Sequence, residues 1–461
     1  MRKNFFATSL AVFAAAILTA NSSHAQVVDL NLNQEDVRVL GEFFSASDSS
    51  GYSIAYGDID RNGFDDLVIG APYADPAQRV DAGKVYIIYA DAAGFIPPPP
   101  PPAEILNLPG PLPLGYQVTI IEGATRGDRL GWSVATGDID GDTFSDVIIG
   151  APSAQGEEFK AGGKTYVIYS RGGALKTIPI LVAAPALGLV TEIHGGATDI
   201  QSGWSVSSGK INGDKFDDVI IGAPFADSTY APSRPAGTPR PPRRRNAGAT
   251  YVVYSTGVLP AIFFLRNPAS EIVEIFGSNA GDASGRAAAS GNLNADASDD
   301  VIIGAPSADN ANGATYVVSG KSSAFLVTPF DLAAPADPIA IVQGGFLQAG
   351  SGWSVASGNI DNPMGQGFED LIIGAPFFSS PGVSGIGDSY LFFGPVQPGI
   401  GYKTSAADFT VHGAHPRGLF GWSVASGDFD NDTLDDVLIG APIADPVRGA
   451  GEAYAVFAQD H

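Results

Sequence analysis

Short runs of alternating apolar and polar residues, separated by glycine-rich turns, recur along most of the chain. Residues 421–442, GWSVASGDFDNDTLDDVLIGAP, show the pattern in full. Their alternating first part predicts a half-buried β-strand. The apolar run Val437-Leu438-Ile439 predicts a second, buried strand, which Gly-Ala-Pro ends. The unit therefore consists of a strand, an acidic loop and a second strand.

This unit occurs six times and predicts a repeat architecture. Its copies begin at Gly51, Gly131, Gly203, Gly285, Gly352 and Gly421. A third, glycine-led strand follows, such as GKVYIIYA from Gly83, and a fourth alternating segment precedes the next copy, such as VTIIEG from Val118. A four-stranded unit cannot bury its faces alone, so the units must stack into one body. The 58 glycines and 34 prolines agree with short strands and turns.

The loop between the first two strands of each unit carries regularly spaced carboxylates. Oxygen-bearing residues at positions i, i+2, i+4 and i+8, with a carbonyl at i+6, can surround one point, as a hard cation with six to eight oxygen ligands requires. Three loops are complete and predict bound Ca2+. Their candidate ligands are Asp58, Asp60, Asn62, Phe64 and Asp66; Asp138, Asp140, Asp142, Phe144 and Asp146; and Asp428, Asp430, Asp432, Leu434 and Asp436.

The other three loops depart from this pattern. The fourth keeps oxygen atoms but less charge, which predicts a weaker metal site formed by Asn292, Asn294, Asp296 and Asp300. In the third, the ammonium group of Lys210 could replace the ion beside Asn212, Asp214 and Asp218. The fifth has three extra residues between Asp361 and Asp370, which leaves its geometry open. For any single loop, an Asx turn without metal is the alternative.

The six copies resemble the FG-GAP repeats of the integrin alpha-chain β-propeller, in which a Gly-aromatic strand, an Asp-rich loop and a Gly-Ala-Pro turn form each blade. The resemblance covers residues 37–457, although only the last copy has a literal Phe-Gly, at Phe420-Gly421. It implies an all-β propeller of six four-stranded blades; seven, the integrin number, is the alternative. The last unit has three strands, and VRVLGE from Val37 matches a fourth strand. The N-terminal strand is therefore predicted to close the ring.

The N-terminus predicts export. Residues 1–25 combine a basic start, an apolar segment from Leu10 to Ala20 and a small-residue cleavage site at Ala25, as a signal peptide does. The apolar segment is shorter than the ~20 residues of a spanning helix, and no later stretch is apolar enough to span a membrane. We therefore expect a propeller domain at 26–461 that does not span a membrane and is secreted, periplasmic or attached to the cell surface.

Composition limits the possible partners and chemistry. A formal net charge of −24 disfavours nucleic acid as a partner. The chain contains no cysteine, which excludes disulfides and thiol nucleophiles, and no serine elbow is present. We therefore predict that it is not an enzyme, although a glycosidase-type carboxylate pair stays open. FG-GAP repeats also accompany a phospholipase domain in one enzyme family; six units take up this chain, so we expect no such domain here.

The resemblance implies a protein-interaction or adhesion module with an unknown extracellular protein or glycan ligand, bound on the face opposite the cation loops. A carbohydrate-binding propeller is the alternative function, because a lectin would use repeated aromatic residues as platforms for sugars. Packing between blades is the interpretation that we favour for these residues. They begin the first strand in five units, and Arg286 replaces them in the fourth: Tyr52, Trp132, Trp204, Trp353 and Trp422.

Two further motifs lie on the face opposite the cation loops. A basic cluster within residues 232–247 is either a solvated loop or a docking site for an anionic partner. The tripeptide Arg126-Gly127-Asp128, an integrin ligand elsewhere, is interpreted as a variation of a local turn, since a sibling loop carries Pro416-Arg417-Gly418. The arginines of the cluster are Arg234, Arg240, Arg243, Arg244 and Arg245.

Overall fold

The protein forms a six-bladed β-propeller in a computed structural model. The structure describes residues 48–90, 117–156, 160–171, 175, 180–182, 188–228, 243–266, 271–321, 330–335, 339–361, 367–380, 382–428, 433–445 and 450–458, together with the backbone of 37–40 and 104–107. The predicted signal peptide, residues 1–25, lies outside this part of the chain and stays a prediction.

The strands follow the six repeats, and β1 (Val37–Leu40) precedes them. Repeats one and two contain β2 (Ser53–Gly57), β3 (Asp66–Ala71), β4 (Lys84–Ile88), β5 (Glu104–Asn107), β6 (Val118–Glu122), β7 (Ser133–Gly137), β8 (Asp146–Ala151), β9 (Lys164–Ile168), β10 (Ile180–Leu181) and β11 (Val190–His194). Repeats three and four contain β12 (Ser205–Gly209), β13 (Asp218–Ala223), β14 (Ala249–Val253), β15 (Ile262–Phe264), β16 (Ile272–Phe276), β17 (Ala287–Gly291), β18 (Asp300–Ala305), β19 (Ala314–Val318), β20 (Phe330–Asp331) and β21 (Ile339–Gln343). Repeats five and six contain β22 (Ser354–Gly358), β23 (Asp370–Ala375), β24 (Asp388–Phe392), β25 (Gly401–Lys403), β26 (Phe409–His412), β27 (Ser423–Gly427), β28 (Asp436–Asp445) and β29 (Ala450–Val456). Short helical turns occur at Pro76–Gln78, Ala308–Ala311 and Thr404–Ala406.

Each of the first five blades is an antiparallel sheet whose four strands pair in chain order, for example β2-β3-β4-β6. The first strand of each repeat, here called the inner strand, contacts its counterparts in the neighbouring blades. In four blades a short strand from the next repeat joins the outer edge in parallel: β10 joins β6, β15 joins β11, β20 joins β16 and β25 joins β21. The first five blades are therefore connected at both the centre and the rim of the ring, and the fifth and sixth are connected at the centre.

The N-terminal strand follows the same rule. β1 pairs in parallel with β5 of the first repeat, from Val37↔Glu104 to Leu40↔Asn107. This is the relation that an outer strand has with the crossing strand of the following repeat, which supports the role predicted for β1. Among the described residues, the sixth blade consists of β27, β28 and β29. The six blades are thus confirmed, whereas direct pairing of β1 with β29 stays a prediction.

The hydrophobic core lies mainly between neighbouring blades. One buried cluster unites Ile139 and Val167 of the second blade with Ile221 and Tyr251 of the third, and comparable clusters join four other consecutive pairs. This arrangement follows from the sequence, because the apolar second and third strands of the first five blades are buried on both faces. The third strand of the sixth blade, β29, is only partly buried. A smaller cluster, which includes Ile69, Tyr86 and Ile88, lies within the first blade.

Hydroxyl groups connect the inner strands. Ser205 Oγ donates to the carbonyl oxygen of Gly285 in the next blade at 3.0 Å, and Ser53, Ser133 and Ser354 make the same bond to the following blade. Between the sixth and first blades, Tyr56 occupies a position that serine or threonine holds elsewhere, and its Oη donates to Ser426 O across 3.4 Å. The junction between the last and first blades therefore differs from the other five.

Candidate metal centres

All six acidic loops connect an inner strand to the second strand of its blade, so they open on one face of the propeller. The last aspartate of each loop is buried. In the first loop, Asp66 Oδ2 accepts from Ile59 N (3.0 Å) and Oδ1 accepts from Ala90 N (2.9 Å). The same pair of bonds recurs at Asp146 and Asp300. This aspartate therefore fixes the loop to the end of the third strand.

The first loop brings three carboxylates together. Oxygen atoms of Asp58, Asp60 and Asp66 lie within 4.8 Å of one another. Backbone N–H groups of Asn62 and Gly63 each donate to Asp58 at 2.9 Å, which curls the loop around this side chain. Gly63 has a φ of +88°, a conformation that favours glycine. The residues fit a divalent cation, and the ligand set predicted for this loop stays a proposal.

The second loop contains an orphaned oxygen. Carboxylate oxygens of Asp138, Asp140 and Asp142 lie within 4.8 Å of one another. Asp138 Oδ2 accepts from Thr143 N at 3.0 Å, but Oδ1 is buried and has no hydrogen-bond partner within the described chain. Because a buried charged atom without a partner is costly, this oxygen fits a cation.

A positively charged side chain, that of Arg171, also contacts this loop. Arg171 Nε lies 3.0 Å from Asp140 Oδ2, and its guanidinium stands over the ring of Tyr169 at 5.4 Å. Sequence reasoning missed this contact, because Arg171 follows the third strand, 31 positions after Asp140. Since Arg171 offsets one carboxylate charge, we expect the second loop to bind calcium more weakly than the first.

Burial raises the pKa of Asp66 to about 7 and that of Asp146 to about 8. Nearby carboxylates, Asp60 and Asp140 respectively, raise these pKa values further, whereas hydrogen bonds from backbone N–H groups lower them. A divalent cation would offset both the burial and the repulsion between like charges. The electrostatics of both loops therefore suit a bound ion.

The sixth loop is described in part. Asp430 and Asp432 lie outside the described residues, so their predicted role stays untested. Thr433 N donates to Asp428 Oδ2 (3.1 Å), as Thr143 N does to Asp138, and Ala458 N donates to Asp436 Oδ1 (3.0 Å). The described part of this loop thus has the frame of the second loop.

The fourth loop is held together by side-chain amides. Asn294 Nδ2 donates to Asp300 Oδ1 (3.0 Å), and Asn292 Nδ2 donates to the carbonyl oxygen of Asp296 (2.7 Å). These donors partly replace the interactions that an ion would make, which agrees with a weaker site. In the fifth loop, Asp370 Oδ2 accepts from Ile360 N at 2.8 Å, and residues 362–366 lie outside the described chain.

The placement predicted for Lys210 in the third loop is wrong. Its ammonium group lies 2.8 Å from Asp217 Oδ1, and not among Asn212, Asp214 and Asp218. Asn212 Nδ2 donates instead to Asp214 Oδ2 at 2.9 Å. Burial lowers the pKa of Lys210, but the hydrogen bond and the charge of Asp217 outweigh it, so the pKa is raised. The ammonium group therefore stays charged where a neighbouring acidic residue attracts it.

The Arg-Gly-Asp tripeptide is part of a turn. Asp128 is 6% exposed, and its Oδ2 accepts from Thr125 N at 3.1 Å. Asp282 makes the equivalent bond to Asn279 N at 2.9 Å in another repeat. The interpretation as a local turn is therefore confirmed, because this carboxylate is used within the fold.

The described arginines of the basic cluster include two that make contacts within the fold. Arg244 pairs with Asp331 Oδ1 (2.7 Å) and donates to Ser278 O (2.7 Å), and Arg243 pairs with Asp227. Arg234 and Arg240 lie outside the described residues. The two internal pairs give no support to an anionic partner at this cluster.

Replacing Arg244 by Ala is expected to lower the free energy of unfolding by about 2 kcal/mol, because charge-assisted hydrogen bonds contribute roughly 1.5–3 kcal/mol. Urea unfolding followed by circular dichroism measures the change. Arg245→Ala is the matched control, since Arg245 is exposed; its effect should stay within about 0.5 kcal/mol. Equal effects of the two substitutions would show that the pair with Asp331 contributes nothing.

The aromatic residues at the start of the inner strands lie on the face opposite the acidic loops. Ring centroids are 4.6 Å apart for Tyr52–Trp132, 4.8 Å for Trp132–Trp204 and 4.7 Å for Trp353–Trp422. Each pair joins consecutive blades, so the predicted packing between blades is confirmed. Tyr52 is nevertheless 45% exposed, which also leaves aromatic surface open to solvent.

The family model described as FG-GAP repeat matches residues 50–88, 130–168, 202–253 and 420–457. These matches cover four of the six repeats. The fourth repeat, with Arg286, and the fifth, with its lengthened loop, fall outside them. The structure nevertheless gives both repeats the same four-stranded blade.

Curated relatives match part of the chain. Phosphatidylinositol-glycan-specific phospholipase D of Bos taurus is 32% identical over 178 residues, 38% of this chain and 19% of that protein. Integrin alpha pat-2 of Caenorhabditis elegans is 33% identical over 196 residues, 42% of this chain and 14% of that protein. Integrin alpha-3 of Mus musculus is 30% identical over 176 residues, which are 38% of this chain and 14% of that protein. The matched segments thus span about a fifth or less of each relative.

Among the described residues, no helix has the length and apolar character needed to cross a membrane. The repeats matched by the family model, the six blades and the similarity to integrin alpha chains agree with one another. Four of the six repeats are therefore FG-GAP repeats, and part of the chain is similar to integrin alpha chains.

Proposed function

We propose that the protein is an exported, calcium-binding propeller that acts as a protein-interaction or cell-adhesion module and not as an enzyme. Its ligand is an extracellular protein, and the protein is secreted, periplasmic or attached to the cell surface. The similarity to integrin alpha chains supports an interaction module. The phospholipase relatives are enzymes by name, but the match covers 19% of the bovine protein.

The observation that carries the proposal is the convergence of carboxylates in two FG-GAP loops on one face. Residues 58–66 hold one ion, residues 138–146 a second and residues 428–436 a third, with Asn292, Asn294, Asp296 and Asp300 as a weaker site. The bound Ca2+ supplies positive charge that fixes the loops. The side chains of the protein orient those loops and leave the opposite face free for a partner.

A carbohydrate-binding propeller is the second candidate, because the exposed ring of Tyr52 and its neighbours could contact sugars. Glycan-array binding by the calcium-loaded protein would favour it. Turnover of a glycoside or phosphodiester library would instead favour a hydrolase.

The proposed function is tested by capture from the extracellular fraction of the source organism, on immobilised protein in 1 mM calcium or in EGTA. We expect a distinct protein to be retained with calcium and released by EGTA, because the loops order the scaffold. The matched control carries Asp58→Asn, Asp138→Asn and Asp428→Asn and should retain less of the same protein. Binding to glycans alone, or turnover without retention of a protein, would contradict the proposal.

A further inference from the structure

Arg286 occupies the position that tryptophan holds in four other repeats. Its guanidinium carbon lies 5.0 Å from the ring centroid of Trp204 and 4.1 Å from that of Trp353, so it bridges the aromatic residues of the two adjacent blades. The side chain is partly buried. Stacking on two aromatic faces gives a cation–π attraction of roughly 0.5–2 kcal/mol. Arg286 thus takes the place of an aromatic side chain in the ring.

Among the described residues, none accepts a hydrogen bond from the in-plane N–H groups of this guanidinium. Across the part of the chain that the structure describes, Arg286 forms no ion pair and its side chain no hydrogen bond. An arginine presents five N–H donors in a planar fork. Contacts with ring faces leave these donors unused, and a partly buried charge without hydrogen bonds is costly. These N–H groups are therefore available to an acceptor that the described residues do not supply.

The surroundings of Arg286 form an extended aromatic surface. Aromatic residues that follow the Gly-Ala-Pro turns enlarge this surface. The distances between ring centroids are 6.2 Å for Tyr73–Tyr52, 5.4 Å for Phe225–Trp204 and 4.9 Å for Phe377–Trp353. Tyr52 is 45% exposed, and Phe225 and Phe377 are each 37% exposed. Exposed apolar patches mark interaction sites, and aromatic residues with arginine are enriched where proteins bind each other.

A second arginine stands on the edge of this surface. The guanidinium carbon of Arg129 lies 5.4 Å from the ring centroid of Tyr73 and 5.7 Å from that of Trp132. The described residues form no ion pair with it. Two arginines held over aromatic rings on one face contrast with the formal net charge of −24 of the whole chain.

We propose that the ring formed by Tyr52, Trp132, Trp204, Arg286, Trp353 and Trp422 is a docking site for a protein segment that presents an Asp or Glu carboxylate between apolar residues. The carboxylate accepts two parallel hydrogen bonds from Arg286, and its apolar neighbours pack on the surrounding rings. This inference rests on the proposed function as an interaction module and names the chemistry of its partner.

The geometry favours an acidic protein segment over a sugar. Neighbouring rings are tilted by 46° to 56°, so they form wedges for apolar side chains and not one flat platform for a sugar ring. A neutral sugar would also leave the charge of Arg286 uncompensated. Because the whole chain is strongly acidic, selection of the carboxylate must occur at contact and not through long-range attraction.

Tryptophan fluorescence reports directly on this site, because all 4 tryptophans of the chain belong to the ring. The probes are blocked heptapeptides with a central Asp or Glu flanked by Leu, Phe or Tyr, each matched with its Asn or Gln counterpart. We expect saturable fluorescence changes with acidic peptides and about 10-fold or weaker binding of the amide peptides, since charge-assisted hydrogen bonds are lost. Equal responses to both peptide series, or no response to any peptide, would overturn the proposal.

Three variants separate docking from stability, with labelled peptides followed by fluorescence anisotropy. Arg286→Trp restores the sibling residue, so we expect unchanged melting but about 10-fold or weaker peptide binding; Arg286→Lys should bind at an intermediate level. Lys215→Ser is the control, because Lys215 stands over Phe216 at 4.5 Å on the opposite face and should not affect binding. Full peptide binding by Arg286→Trp would refute the role of Arg286.

Three further outcomes distinguish this proposal from the proposed function. Arg286-dependent binding of a tetragalacturonate probe, with no binding of peptides, would overturn the docking of a protein segment and favour the carbohydrate alternative. Calcium-dependent capture of a protein that is insensitive to Arg286→Trp would sink the proposed docking site alone. Peptide binding without any effect of calcium would sustain this site and remove the calcium part of the proposed function.

Discussion

Removal of calcium by EGTA is expected to lower the melting temperature of the protein by several degrees. Extracellular calcium modules have dissociation constants of ~10⁻⁴ to 10⁻³ M. With a dissociation constant of ~10⁻⁴ M and free calcium of ~10⁻³ M, each site stabilises the folded state by roughly 1.4 kcal/mol, or about 4 kcal/mol over three sites. This is a large share of the ~5–15 kcal/mol by which folded domains are stable. Differential scanning calorimetry measures the shift.

Substitutions in single loops measure how much each loop contributes to this shift in melting temperature. Asp58→Asn keeps the size of the side chain but removes one charge from the first loop, so it should abolish about one third of the calcium shift or more, because Arg171 weakens the second site. Asp214→Asn is the matched control, because the third loop has Lys210 at its first ligand position. Magnesium should restore little stability, since flexible multi-carboxylate loops suit the larger ion. A melting temperature that does not respond to EGTA would mean that the loops are turns without metal.

Replacing Gly222 by Ala is expected to destabilise the propeller by about 3 kcal/mol or more, because overpacking of a close contact usually costs 1–3 kcal/mol and occasionally more. A Cβ atom at this position would lie 2.1 Å from the carbonyl oxygen of Gly285 in the next blade. Gly222 lies in β13, and Gly285 lies two residues before β17 of the next blade. One blade would therefore have to move away from the other. Chemical unfolding with two probes gives the free energy.

Gly440→Ala is the control for this substitution. Gly440 holds the same position in the sixth blade, but the nearest atoms to an added Cβ all belong to Ser423, with Oγ at 2.3 Å. A hydroxyl group can rotate away, whereas a backbone carbonyl of a neighbouring blade cannot. We expect Gly440→Ala to cost less than about 1 kcal/mol. Similar costs for both substitutions would show that the last and first blades are packed as tightly as the others.

Most of the blade architecture could be predicted because each repeat contains its own signals. Alternation and the Asp-rich loop place the first strand within one or two residues of its observed bounds, for instance Ser423–Gly427. Gly-Ala-Pro ends the second strand in the first five repeats, but the end predicted for the sixth is wrong, because β28 continues to Asp445. The convergence of Asp58, Asp60 and Asp66 follows from their spacing in one short loop. Local spacing is therefore sufficient where the interacting residues belong to one turn.

Contacts between repeats could not be predicted in this way. The crossing strand Ile180–Leu181 has two residues, too few for a recognisable period. Arg244 meets Asp331 across 87 positions. In the sequence, Arg286 is only a departure from the aromatic pattern of the other repeats. Its contacts with the tryptophans of two other blades become visible only in the folded structure. Each of these contacts depends on how the blades are arranged.

The junctions between blades are unequal, so we expect the ring to open at one of them under mechanical load. The second and third blades are joined at the centre by the hydrogen bond from Ser133 Oγ to Gly203 O and at the rim by the parallel pairing of β15 with β11. Where the last blade meets the first, the described inner strands share the long contact from Tyr56 to Ser426. Tension between the two ends of the chain would therefore part the ring at this place first, with the other blades still stacked. In the adhesion role proposed above, such a junction would let the ring open under load before any blade unfolds.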